Sequence, residues 1–125
     1  MTKTEILKDI KKFTELENNW DGYGAVPIGI LSYENAMKII NYIPLQFIEQ
    51  IDDIGPNTNG TLTIDWKLEN KEISLEIGDE YFSYYVLLSP RDDMTYQEYI
   101  DSDKTVLCNN KTFDNDIEAF IKYFK

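Results

Sequence analysis

Histidine is absent from the 125 residues, and cysteine and arginine each occur once. Each shortage removes a class of function. Without histidine the chain lacks the usual general base at neutral pH and the commonest metal ligand. Ser-His-Asp and Cys-His arrangements are excluded outright. The lone Cys108 permits no internal disulfide and no zinc site, and reads as a small buried hydrophobe. With Arg91 the sole arginine there is no basic stripe, which argues against nucleic acid as a partner. No apolar run approaches the ~18 residues of a membrane span, and Met1-Thr2-Lys3-Thr4-Glu5 shows no leader pattern. No membrane is therefore expected as a partner. The expected location is cytoplasmic, in a bacterial or host cell.

Motifs for ligands fail on their own geometry. There is no Walker-type loop, and Gly22 and Gly24 do not follow a strand as a dinucleotide fingerprint requires. Setting Gly60 at the sixth place of a calcium loop puts Gly55 first and Trp66 last, where carboxylates are needed. Asp52-Asp53 and Asp92-Asp93 are adjacent pairs, which a regular strand sends to opposite faces. No pair of carboxylates stands out as a glycosidase would need. The expectation is a chain that is not an enzyme and uses no cofactor and no metal.

What the chain does have is acid and aromatic rings. Net charge is −11, and aromatics make up 14%, with nine Tyr, six Phe and two Trp. Residues 1–43 carry six acids and five bases, and residues 104–125 three acids and four bases. Residues 44–103 carry fourteen acids against Lys67, Lys71 and Arg91, so the whole net charge sits in the middle. Such a field repels nucleic acid and attracts basic partners, and it also serves as a solubilising surface.

Hydrophobic spacing organises the chain as a single α+β domain over 1–125. Ile6, Leu7, Ile10, Phe13 and Leu16 predict a helix over 4–17, with Thr2 and Glu5 spaced as a capping box. Asn18 to Ala25 form a compact loop, in which Trp20 and Tyr23 are expected to pin to the core. Pro27 or Ser32 opens a second helix over 29–43. Residues 45–58 read equally as a short strand or a helical turn, ended by Pro56. After the Asn59-Gly60 turn the period becomes two. Leu62, Ile64, Trp66 and Leu68, then Ile73, Leu75 and Ile77, alternate with polar residues, and Tyr81 to Leu88 continues as a third strand. Asn70-Lys71 and Gly78-Asp79 make the turns. Pro90 to Asp103 reads as a loop with a short element near Tyr96, Tyr99 and Ile100, and Thr105 to Cys108 as an edge strand. A helix over 115–124, capped by Asn115 and Glu118, ends the chain. The layout is ααββββα: two N-terminal helices, an antiparallel meander of about four strands and a C-terminal helix.

Asn19-Trp20-Asp21-Gly22-Tyr23-Gly24-Ala25 with Pro27-Ile28, followed by Gly60-Thr61-Leu62-Thr63-Ile64-Asp65-Trp66, resembles a group of small bacterial and phage proteins. The resemblance runs over roughly residues 18–77. It implies a shared fold and brings no assigned activity.

In this register Asp65, Glu72, Glu76, Tyr81 and Tyr85 share the sheet face away from the helices. Carboxylates beside tyrosines suit a docking surface for a protein with a basic surface, of the antitoxin, immunity or anti-defence inhibitor type. The alternative is a small-molecule or cation binder using the loop of Trp20, Asp21 and Tyr23. That loop reads equally as structural, with Gly22 and Gly24 at positive φ, Asp21 bonding nearby amides and Trp20 filling the gap between helices and sheet. The oligomeric state has no signature in the sequence.

Overall fold

A computed structural model describes residues 1–69, 71–88, 98–108 and 111–124; of Leu88 and residues 98–105 it describes the backbone alone. The fold is α+β. Helix α1 (Lys3–Thr14) and helix α2 (Ile30–Tyr42) come first, then one helical turn, α3 (Leu45–Ile48). Strands β1 (Ile51–Pro56), β2 (Leu62–Lys67), β3 (Lys71–Ile77), β4 (Tyr81–Leu88) and β5 (Glu98–Leu107) follow, and α4 (Phe113–Ile121) runs into a 3₁₀ turn, Lys122–Phe124. The five strands form one antiparallel sheet in chain order.

Alternation decides which side of each strand is covered. Leu62, Ile64, Trp66, Ile73, Leu75, Ile77, Phe82, Tyr84 and Val86 are buried in the core that the helices complete. Trp66 lies at its centre, with ring centroids 4.8 Å from Phe124 and 6.2 Å from Phe120. Its indole nitrogen donates to the Phe47 carbonyl at 2.8 Å, so the one polar atom of the ring is satisfied inside the core.

Helix ends follow side-chain chemistry. The Thr2 hydroxyl accepts from the Glu5 amide and caps α1. The helix stops at Thr14, short of the expected 17, because the Thr14 hydroxyl donates back to the Lys11 carbonyl and competes with the helical ladder. Ser32 is not the cap of α2: it is buried in the first turn and donates to Asp79 Oδ1 at 2.7 Å. Asn35 adds two bonds to the carbonyls of Gly78 and Asp79, fastening α2 to the β3–β4 turn. Helix α4 begins at Phe113 rather than Asn115, since Phe113 is a core residue packed edge-on to Phe82. The Asn115–Glu118 capping box is absent; instead the Thr112 hydroxyl donates to Asp116.

The ambiguous segment 45–58 contains both structures that its pattern allowed, α3 and then β1. Strand β5 starts at Glu98, well before Thr105, so the short element expected at Tyr99 and Ile100 is part of that strand. Asn70, Pro90, Arg91, the Asp92-Asp93 pair and Tyr96 lie outside the described residues. Among the described residues no helix is long and apolar enough to cross a membrane.

Candidate functional site

The described helices pack on one face of the sheet, and the opposite face stands clear of them. Cross-strand register builds that outer face in rows. Asp53, Asp65, Ser74 and Tyr85 form one row, and Gly55, Thr63, Glu76 and Ser83 the next. The first row depends on a bulge. Ile51 pairs with Trp66 and Asp53 with Asp65, which leaves Asp52 as an extra residue. The bulge overturns the expectation that Asp52 and Asp53 would point to opposite faces. Both border the same hollow of about 200 Å³, together with Asp65, Lys67, Glu72, Ser74 and Tyr85.

A second hollow of about 370 Å³ adjoins it, bordered by Asn57, Thr63, Ser74, Glu76, Ser83 and Tyr85. Ser74 and Tyr85 belong to both, so the two form a continuous trough with Tyr85, 40% exposed, at the join. Five carboxylates and one lysine border it: Asp52, Asp53, Asp65, Glu72, Glu76 and Lys67. Among these acids Glu76 is tethered. The Thr61 hydroxyl donates to its Oε2 at 2.8 Å, while Asn57 donates to both Thr61 and Thr63. Glu76 therefore also holds the end of the β1–β2 hairpin.

Tyr81 shares the outer face by alternation but works elsewhere. It sits four residues from Tyr85, about 13 Å along the strand, and its ring leans over Gly78, where an added Cβ would meet Cε1 at 2.8 Å. Burial, then the nearby Glu76 and Asp79, push its phenol above the ordinary value. It lines a third cleft, of about 470 Å³, with Val26, Pro27, Gly29, Ser32, Asn59, Gly60, Thr61, Asp79 and Glu80. The structure thus brings Asp65, Glu72, Glu76 and Tyr85 onto one trough and sets Tyr81 at the sheet's end. Asp52 and Asp53 join the trough, and only the bulge could have revealed them.

The loop over residues 18–29 is a strap between α1 and the β1–β2 hairpin. Asn19, Gly22 and Gly24 all have positive φ, and Asp21 Oδ1 accepts from the amides of Tyr23 and Ala25. The Trp20 indole donates to the Val26 carbonyl at 2.8 Å. Val26 then donates to Thr58, and Gly29 to Gly60. The expectation that Trp20 and Tyr23 reach the core fails. Trp20 is half-buried and outside the core, Tyr23 is 93% exposed, and Ala25 and Ile28 are the loop residues that are buried. Four side-chain bonds and two backbone bonds, from the Asn19 and Gly22 amides to the Ala25 and Asn19 carbonyls, hold the loop together without an aromatic ring in the core.

Cys108 is buried, and burial pushes its thiol up more strongly than the Lys38 ammonium pulls it down. It is a neutral thiol at neutral pH. Among the described residues no group of three acids or thiols could hold a metal ion. No family model, curated protein or solved structure matches the chain.

Proposed function

We propose that this protein is an acidic binding module that docks its open sheet face on a basic surface of another protein and so occludes it. The observation that carries the reading is the trough, five carboxylates around an exposed tyrosine on the sheet face that the described helices leave clear. A tyrosine supplies contact area at low entropy cost, and a ring of like charge speeds encounter with an opposite one. In this reading the protein acts by binding rather than catalysis, as antitoxins, immunity proteins and anti-defence inhibitors do. A ligand-binding role for Trp20, Asp21 and Tyr23 has less support, because Trp20 and Asp21 spend their polar groups on the loop's own backbone.

The test compares variants against proteins from the source cell. Wild-type protein on a surface should capture a basic protein, and Asp65→Lys should slow its association about tenfold at low salt, an effect that shrinks as salt rises. Lys8→Glu on α1 should change association little. Capture that is indifferent to Asp65→Lys but lost with Lys8→Glu would overturn the reading.

A further inference from the structure

Asn59 alone among the asparagines precedes a glycine. The pair makes the turn between β1 and β2, and it also carries a chemistry of its own. The backbone nitrogen after an asparagine can close a succinimide ring on the side-chain carbonyl, and glycine, with no Cβ, shields that nitrogen least. Asn59 is exposed, so water reaches its side chain and ammonia leaves freely. The Thr61 amide donates to Asn59 Oδ1 at 3.3 Å, and a donor there favours the negative charge that the oxygen takes up during attack. The nucleophile is restrained instead. The amide of the buried Gly60 donates to the Asn57 carbonyl at 3.2 Å, so it reacts only when that bond opens. Asn35 and Asn41 lie within α2, where the amides that follow them belong to the helical ladder. Asp21 also precedes a glycine, but a carboxylate is a poorer electrophile than an amide.

We propose that Asn59 is a site of spontaneous deamidation, and that its isoaspartyl product unfastens the strap over residues 18–29 from the β1–β2 hairpin. The Gly60 nitrogen gives up its proton to base and bonds to Asn59 Cγ. The Cγ–Nδ2 bond breaks, and Nδ2 takes up a proton and departs as ammonia. Water then opens the ring at either carbonyl, giving aspartate or isoaspartate, and no oxidant or reductant takes part. Isoaspartate carries the main chain through the side-chain methylene and so lengthens the backbone by one carbon. The turn has no slack for it. Val26 bridges to Asn59 in parallel register, the Val26 amide donates to the Thr58 carbonyl at 3.0 Å, and the Gly29 amide donates to the Gly60 carbonyl at 3.3 Å. Gly60 stands so close to the strap that an added Cβ would meet the Pro27 carbonyl oxygen at 3.3 Å. A longer backbone between Thr58 and Gly60 puts the two strap bonds out of step.

The experiment ages the full chain in mildly alkaline buffer, folded and in urea, and follows each asparagine by peptide mass mapping. Asn59 should convert first in the folded chain, with ammonia released to match the acid gained. It should convert roughly fivefold more slowly than in urea, the cost of opening about one hydrogen bond. The aged fraction should label with an isoaspartyl methyltransferase, melt about 5 °C below fresh protein, and be cut by protease within the strap. Asn59→Asp keeps the ordinary backbone and should melt within about 2 °C of wild type. Asn59→Ser should gain no acid at this position and keep its own melting temperature on ageing. A folded chain in which Asn59 stays intact while the urea sample converts, or in which another asparagine converts first, would overturn the site. An aged fraction that melts with Asn59→Asp would overturn the unfastening. Conversion as fast in the folded chain as in urea would overturn the restraint by Asn57.

Discussion

Trp66, Ile73 and Val86 stand in register on the inner face of the sheet; one residue along, Asp65, Ser74 and Tyr85 stand in register on the outer face. The inner three are at most 1% exposed, whereas Tyr85 is 40% exposed. The same backbone therefore carries two independent demands. Inner positions are set by volume and shape, since the core is packed like a solid. Outer positions carry little of the folding energy, so their charge is only weakly constrained by the fold.

The largest effect should come from the inner row. Trp66→Ala should cost about 3–5 kcal/mol, read as a lower urea midpoint, because it opens a cavity beside Phe120 and Phe124 and removes the indole's bond to the Phe47 carbonyl. A loss below about 0.5 kcal/mol would break the division between the faces, because that is the range of ordinary outer substitutions. The exception to the division is Glu76, whose carboxylate accepts from Thr61. Glu76→Ala should cost about 1 kcal/mol in the same assay, and in a Thr61→Val background that cost should largely vanish. Equal costs in both backgrounds would place Glu76 with the purely exposed acids.

The smallest effect concerns Tyr81 at alkaline pH. Its phenol is raised in the folded chain, first by burial and then by Glu76 and Asp79. The folded state therefore holds that proton more tightly than the unfolded chain, which releases it near pH 10. The associated stability is complete below about pH 10 and is lost as pH climbs through the raised value. Tyr42, raised chiefly by its hydrogen bond to Asp114, acts in the same direction. Tyr81→Phe should flatten the alkaline fall in melting temperature slightly, and an unchanged slope would remove Tyr81 as a contributor.

How far this was legible in the sequence depends on whether a segment's own residues decided its structure. Strands β2 and β3 announce themselves by alternation, β4 by its run of aromatic and apolar residues, and their turns by Asn59-Gly60 and Gly78-Asp79. Their register alone places Asp65, Glu72, Glu76 and Tyr85 on one face. Strand β1, with the sequence Ile-Asp-Asp-Ile-Gly-Pro, has no such pattern, and it becomes a strand by pairing with β2. The bulge is set by that pairing, so the Asp52–Asp53 side of the trough was invisible beforehand. Helix α4 starts early because Phe113 has a core to enter, which its neighbours in sequence do not disclose. Trp20 misled in the opposite sense: a large apolar ring suggests a core, but its indole is needed to close a loop.

Strand β1 is also an outermost strand of the sheet, where an unpaired row of backbone groups could recruit a second molecule into a growing ribbon. Its residues discourage that outcome. The bulge at Asp52 interrupts the even spacing that a new strand would have to match, Pro56 offers no amide, and two adjacent carboxylates repel an identical edge. The irregularity that brings Asp52 and Asp53 to one hollow thus also makes this border of the sheet a poor template for an added strand.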